Sequence, residues 1–165
     1  MPEDPMQVSM AHFAVSKSRP LVTSGVGSCM VIVLYDPQAK IGGLAHTMLP
    51  DEKFEGKDGV PQKIDAAILV GSAKTVGHAV DMVLDGIESL GGNRSRCIAK
   101  VAGGAHMFSL FDAPKTGIGQ QNIEAIRKKF EKIKIPIVAE DTGGTIGRVV
   151  EFDVQSGVMN VTTKI

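Results

Sequence analysis

Apolar positions change spacing along the chain, and each spacing predicts a different element. Residues 28–35 form a nearly continuous apolar run that ends at Asp36-Pro37, which is typical of a strand buried on both faces. The segment 41–49 follows after a short connection, so we interpret the two segments as a hairpin. A looser alternation over residues 6–16 predicts an earlier strand.

Helical periodicity replaces this alternation further along. Two stripes recur at the spacing of one helix face: Val80, Val83, Leu84, Ile87 and Leu90, then Ile123, Ile126, Phe130 and Ile133. The shorter apolar segment 64–70 predicts another helix after Pro61. Strands are predicted, between glycine-containing turns, over residues 96–102, 135–140, 146–154 and 158–163. This order favours an α/β (α+β-like) layered sandwich, with a mixed sheet packed against helices.

The length and composition favour one ordinary domain. Residues 1–165 contain no repeat or linker that would divide them; we expect residues 1–6 to be flexible and the polar segment 50–61 to form a loop. Basic and acidic residues number 18 each and aromatic residues are 4%, which disfavours nucleic-acid binding. No basic start or long apolar run is visible, which predicts a cytoplasmic protein without direct membrane insertion.

A glycine-rich turn precedes the buried strand and places a thiol at the junction. The segment reads TSGVGSC over residues 23–29. It lacks the third glycine of a dinucleotide fingerprint, the G-K-[ST] of a Walker loop and the G-x-S-x-G of a hydrolase elbow. Glycines leave backbone N–H groups free to point at a ligand, so Gly27 and Ser28 are candidates for an oxyanion hole near Cys29.

A histidine on the predicted partner strand completes a possible nucleophilic site. Hairpin pairing would bring Cys29 and His46 toward the same end of the sheet. A thiol with a pKa of about 8.5 is mostly protonated near neutrality, and an adjacent imidazole can take its proton. A third group must hold the imidazole in its productive tautomer. Thr23 is a candidate for that role, through either its hydroxyl or its carbonyl.

Simpler interpretations compete with this one. A lone cysteine on an apolar strand is usually a small hydrophobic residue, and for Cys97 that interpretation is favoured. His106 is a second histidine candidate beside a backbone turn. Residue types would permit zinc binding by Cys29, His46, Cys97 and His106, but no C-x-x-C or H-x-x-x-H spacing supports it, so no metal is predicted.

Five segments together carry a resemblance to a known family. They read LVTSGVGSCMVIVLYDP, IGGLAHTMLP, KVAGGAHMF, IGQQN and DTGGTIGR, and they extend over roughly residues 22–157. The combination of GxGSC with GGLAHxMLP, in which the histidine follows the cysteine by seventeen residues, is the most specific part. The sequence resembles the CheD family, the chemoreceptor glutamine deamidases of bacterial and archaeal chemotaxis.

The resemblance implies a cysteine-dependent hydrolase that converts receptor glutamines to glutamates without a cofactor. The catalytic Cys, His and Thr of the family fall on Cys29, His46 and Thr23. The implied fold is an α/β sandwich related to the deamidase domain of the cytotoxic necrotising factor toxins. The implied partners are receptor cytoplasmic domains and CheC, a phosphatase of the phosphorylated response regulator CheY.

Two alternative functions remain open for the same residues. One is a regulatory module that docks and stimulates CheC with little catalysis. The other is hydrolysis of receptor glutamyl methyl esters, because esters and amides pass through similar tetrahedral states.

Overall fold

A computed structural model of the chain describes residues 4–50, 61–107 and 117–164. In chain order the strands are β1 (Met6–Gln7), β2 (His12–Ser16), β3 (Leu21–Val26), β4 (Met30–Asp36), β5 (Ile41–Thr47), β6 (Gln62–Asp65), β7 (Ile68–Ser72), β8 (Ile98–Gly103), β9 (Ile137–Thr142), β10 (Gly147–Asp153) and β11 (Val158–Lys164). The α-helices of the described residues are α1 (Val76–Ser89) and α2 (Ile118–Ile133), and a 3-10 turn covers Arg94–Arg96.

The central layer is a seven-stranded sheet in the order β6-β7-β2-β5-β4-β8-β9. Its neighbouring strands are antiparallel except for β8 and β9, which are parallel. β4 and β5 lie at its centre, and every residue of both strands is buried, which explains why their sequences lack polar alternation. The predicted hairpin is confirmed: Met30 lies opposite Thr47, and Val31 lies opposite His46.

A four-stranded sheet covers one face of the central layer, and the two helices cover the other. The smaller sheet has the order β1-β3-β10-β11, with β1 parallel to β3. Side chains of β4 alternate between the two cores. Ile32 and Leu34 pack with the helices, whereas Val31 and Val33 pack with the smaller sheet.

Two mixed sheets and two helices agree with the predicted layered α/β class, although the strands divide between two sheets. The two predicted helical stripes and the four later strands are confirmed, with ends that differ by a few residues. The likeness to the toxin deamidase domain stays a prediction. Residues 1–3 and most of the predicted loop, 51–60, lie outside the described residues, and Met6 is in β1.

The predicted helix over residues 64–70 is wrong. β6 and β7 form an antiparallel hairpin there, and the Asp65 carboxylate accepts a hydrogen bond of 2.7 Å from the Ala67 N–H within the turn. β7 also pairs with β2 along its whole length, which buries Ile68 and Leu69 against the central layer. Pairing with an existing sheet edge therefore decides the structure of a short apolar segment that fits either element.

Two further interpretations need correction near the N-terminus. Residues 6–16 form two strands in different sheets, β1 and β2, because the chain turns between them at Ala11, where φ is 64°. The segment 23–29 is not a turn throughout, because Leu21–Val26 is a strand, β3. Its pairing with β10 shifts register around Gly25, which has a φ of 68°, so the glycine allows a bulge inside the strand.

Candidate active site

Two of the three residues predicted to form the site, Thr23 and His46, are in contact between the two sheets. Thr23 projects from β3 and His46 from β5, and their side chains are 1% and 0% exposed. Cys29 lies just before β4 and is partly exposed. It is two residues from Val31, which lies opposite His46, so Cys29 is near the end of the hairpin that carries His46.

The Thr23 hydroxyl fixes the tautomer of the His46 imidazole. Its Oγ1 donates to the Val8 carbonyl oxygen at 2.6 Å and lies 2.8 Å from His46 Nδ1. A hydroxyl has one proton, and Val8 takes it, so the hydroxyl oxygen accepts a hydrogen bond from Nδ1–H. The lone pair of the neutral imidazole is therefore on Nε2. Of the two possibilities left by the sequence, the hydroxyl makes the contact.

The pKa shifts of the thiol and of the imidazole both favour the neutral form of the group. Among the described residues, His46 Nε2 has no hydrogen-bond partner, so it does not bond the thiol. Burial lowers the pKa of His46 from 6.5 to about 4. Burial also raises the pKa of Cys29, although its own backbone N–H opposes that rise. Catalytic hydrogen bonds are often long before substrate binds and tighten in the complex.

Backbone hydrogen bonds attach residues 27–29, here called the Cys29 loop, to the end of β8. The Gly104 N–H donates to the Cys29 carbonyl at 2.8 Å, and the Ala105 N–H donates to the Gly27 carbonyl at 3.0 Å. A Cβ atom on Gly103 would overlap the Cys29 carbonyl oxygen, and its φ of 112° also favours glycine. The Gly103-Gly104 pair at the end of β8 therefore supports the backbone around Cys29.

A buried arginine holds this support from the smaller sheet. Arg148 of β10 is 6% exposed and donates to the carbonyls of Gly103 and Gly143, at 3.4 and 3.0 Å. Its guanidinium also pairs with Asp141 at 3.1 Å. The DTGGTIGR segment thus supplies both a turn and a side chain that hold the end of β8 next to Cys29.

Sequence reasoning missed two groups that contact the site. Val8 supplies the carbonyl that orients the Thr23 hydroxyl, and its own N–H donates to the Val22 carbonyl at 2.8 Å. Asn122 of α2 donates its amide to the Ser28 carbonyl at 2.9 Å. Both contacts join residues of the candidate site to distant segments, and only the IGQQN segment of the family resemblance pointed to one of them.

The remaining sequence candidates lie elsewhere. Cys97 is buried next to Ile98, which pairs with Tyr35 at the opposite end of β4 from Cys29, and burial raises its pKa to about 11. Cys97 is therefore not placed to share a metal ion with Cys29. In the part of the chain described, no three His, Cys, Asp or Glu side chains are placed to hold a metal ion. His106 borders a cleft of about 230 Å³ together with Ser28.

Neither α1 nor α2 has the length and apolarity that a membrane-crossing helix needs, and they are the α-helices of the described ranges.

The fold and the site define a layered α/β protein with a buried threonine–histidine pair and a partly exposed thiol just before the central strand β4. The model of the CheD family, described as CheD chemotactic sensory transduction, matches residues 48–163. A protein of Halalkalibacterium halodurans named chemoreceptor glutamine deamidase CheD is 38% identical over 162 residues, which cover 97% of this chain and 94% of that protein. The chain belongs to the CheD family.

Two other relatives extend this similarity. A probable chemoreceptor glutamine deamidase CheD of Archaeoglobus fulgidus is 42% identical over 154 residues, 93% of this chain and 90% of that protein. A probable chemoreceptor glutamine deamidase CheD 2 of Geobacter metallireducens is 41% identical over 153 residues, 91% and 87% of the two chains. The resemblance drawn from the five segments is thus confirmed at the level of the family.

Proposed function

We propose that this chain is a cytoplasmic, cysteine-dependent deamidase. In this proposal it hydrolyses the side-chain amides of selected chemoreceptor glutamines to glutamate and ammonia. The names of relatives that are 38% and 42% identical support the substrate class. The observation that carries the chemistry is the 2.8 Å contact between Thr23 Oγ1 and His46 Nδ1, because it leaves Nε2 free to accept the thiol proton.

In the proposed first step Cys29 acts as the nucleophile and His46 as the base. His46 Nε2 takes the thiol proton while Sγ forms a bond to the carbonyl carbon of the glutamine side chain. The carbonyl electron pair moves to oxygen and gives a tetrahedral oxyanion. Backbone N–H groups from Gly27 to Cys29 are the proposed donors to that oxygen, and one such donor is typically worth about 2.7–4 kcal/mol.

The imidazolium formed in this step then serves as the acid. It gives its proton to the amide nitrogen, and the C–N bond breaks. Ammonia departs, and the acyl group remains bound to Cys29 as a thioester. His46 next accepts a proton from water, whose oxygen attacks the thioester carbon. The C–S bond breaks, the thiolate regains the proton, and glutamate is released. Thr23 holds the imidazole in one tautomer through both steps.

Mass spectrometry of a receptor cytoplasmic fragment tests the proposal. The fragment is incubated with the wild-type protein in ¹⁸O-labelled water. The expected result is loss of ammonia and gain of one labelled oxygen at defined glutamines. Cys29→Ala and His46→Ala should abolish the gain, whereas the matched thiol variant Cys97→Ala should keep it. Activity in Cys29→Ala together with a dead Cys97→Ala would reverse the site assignment.

The same fragment separates the alternatives. A second version of this fragment carries a glutamyl methyl ester in place of the glutamine. If the chain is an esterase, it should hydrolyse this ester faster than the glutamine amide. A folded wild-type protein that leaves every glutamine of a cognate receptor unchanged would favour the CheC-docking module. Capture of purified CheC by the immobilised chain would then test that partner directly.

A further inference from the structure

Asn122 is a buried polar residue near the start of α2 that the proposed mechanism does not use. It is 0% exposed, and its Nδ2 donates to the Ser28 carbonyl at 2.9 Å and to the Met48 carbonyl at 3.2 Å. Ser28 immediately precedes Cys29, and Met48 follows His46 by two positions. One side chain therefore joins the two segments that carry the reacting groups.

The contact with Ser28 determines the direction of the next N–H group. In a trans peptide the C=O and N–H point in opposite directions, so a Ser28 carbonyl aimed at Asn122 turns the Cys29 N–H away from α2. That N–H also opposes the rise in the pKa of the thiol of its own residue, so a change in its direction should change that pKa. A donor beside the nucleophile is placed where an oxyanion would form.

We propose that Asn122 is a positioning residue, which fixes the Ser28–Cys29 peptide so that the Cys29 N–H points at the oxyanion formed on attack by Cys29. This role depends on the proposed function, because amide hydrolysis supplies the oxyanion. The orientation of the peptide, however, can be measured without a substrate.

The packing of α2 gives the amide a rigid base. A Cβ atom on Gly119 would lie 2.6 Å from the Ala105 carbonyl oxygen and 2.7 Å from that of Gly104, so the first turn of α2 lies against this segment. The N–H groups of Gly104 and Ala105 hold the carbonyls on either side of Ser28. Asn122 thus supplies the middle one of three consecutive bonds along the Cys29 loop.

The chemistry of the side chain fits this position. A primary amide nitrogen carries two hydrogens, which matches the two carbonyl acceptors, those of Ser28 and Met48. A leucine has a similar size but donates nothing. An ionised aspartate would point only acceptors at two carbonyl oxygens. Asn122→Leu therefore removes both donated hydrogen bonds with little change in side-chain size.

Two measurements on Asn122→Leu test the role. The first is kcat and KM for deamidation of the receptor fragment. The second is alkylation of Cys29 by iodoacetamide as a function of pH, in a Cys97→Ala background so that one thiol reports. We expect kcat to fall about 100-fold or more, as after loss of an oxyanion donor, with KM changed by less than about twofold. The alkylation midpoint should rise, with the high-pH plateau rate unchanged.

Ile126→Ala is the matched control, because Ile126 is buried one turn further along α2 and contacts the core rather than the Cys29 loop. It should leave kcat per folded molecule and the alkylation midpoint at wild-type values. Wild-type kcat and midpoint in Asn122→Leu would overturn the proposal. So would an equal fall in kcat and in the plateau rate, since that pattern means general loss of the site.

A failure of the proposed function gives a different pattern. In that case the wild-type protein deamidates nothing, yet the alkylation midpoint still rises in Asn122→Leu. If Asn122→Leu does not fold, Gly119→Ala keeps the amide but forces the first turn of α2 away from the Gly104 and Ala105 carbonyls. The same changes are expected there in weaker form, and wild-type values of both measurements would overturn the proposal.

Discussion

The buried imidazole of His46 makes the free energy of unfolding depend on pH in a way that one variant can isolate. The perturbation is acidification of the wild-type protein and of His46→Gln, which cannot titrate. Glutamine keeps an amide near Thr23 and preserves much of the side-chain volume. All other titratable groups are shared, so the difference between the two proteins reports the imidazole alone.

The size of the effect follows from the pKa of His46, which burial lowers from 6.5 to about 4. The folded state binds the proton less tightly than the unfolded state, so this contribution is complete above pH 6.5 and is lost as the pH falls toward 4. A pKa difference of one corresponds to about 1.36 kcal/mol. The wild type should therefore lose about 3 kcal/mol relative to His46→Gln over this range.

Urea unfolding of both proteins at several pH values from about 7.5 to about 4 measures the difference. Parallel pH profiles would mean that His46 is not held uncharged in the folded state. A profile of opposite sign, in which acid stabilises the wild type relative to the variant, would contradict the lowered pKa of His46 itself. It would mean that an imidazolium pairs with the Cys29 thiolate in the resting protein.

Three further variants test other parts of the structure. Thr23→Val should lower kcat about 100-fold and shift the imidazole toward the Nε2–H tautomer in ¹⁵N NMR. Thr23→Ser should keep the wild-type kcat and tautomer. Equal behaviour of the two variants would contradict the contact between the Thr23 hydroxyl and His46. Asp36→Ala removes the carboxylate that bonds Arg96 at 2.7 Å and should cost about 3 kcal/mol in urea unfolding with activity per folded molecule unchanged. Gly103→Ala should slow both deamidation and alkylation of Cys29, and normal rates would show that the loop accommodates a Cβ atom.

The hairpin that carries His46 could be predicted from the sequence because it depends on a local contact. β4 and β5 are joined by a short connection, so these two consecutive apolar segments pair, and that pairing places Val31 opposite His46. Thr23 was harder to place, because β3 belongs to the other sheet and its glycines suggested a turn. Its identification came from the chemical need for a third group and from the family resemblance.

The missed features depend on contacts between distant segments. A short apolar run such as 64–70 has no periodicity that separates helix from strand, and its pairing with β2 decides the outcome. Val8 acts through a backbone carbonyl, so no side-chain pattern marks it. Asn122 sits on the predicted second helix, yet its contact with Ser28 depends on how α2 docks on the central sheet. Such roles become visible only when the layers are assembled.

A threonine in the third position gives the proposed triad a different balance from one with a carboxylate. A carboxylate beside Nδ1 would raise the pKa of the imidazole and favour a preformed thiolate–imidazolium pair. The Thr23 hydroxyl orients His46 without charge, so burial favours the neutral forms of the imidazole and the thiol. A neutral thiol is a poor target for oxidants and stray electrophiles.

Proton transfer from Cys29 to His46 is therefore unfavourable in the empty site and must be coupled to attack on the substrate. The negative charge that leaves sulfur is then carried by the substrate oxygen, where backbone N–H groups stabilise it. On this reasoning, reactivity depends less on a preformed thiolate than on donors already aimed at the oxyanion. In the proposed mechanism, the hydrogen bonds that hold residues 27–29, including the one from Asn122, therefore set the rate of attack.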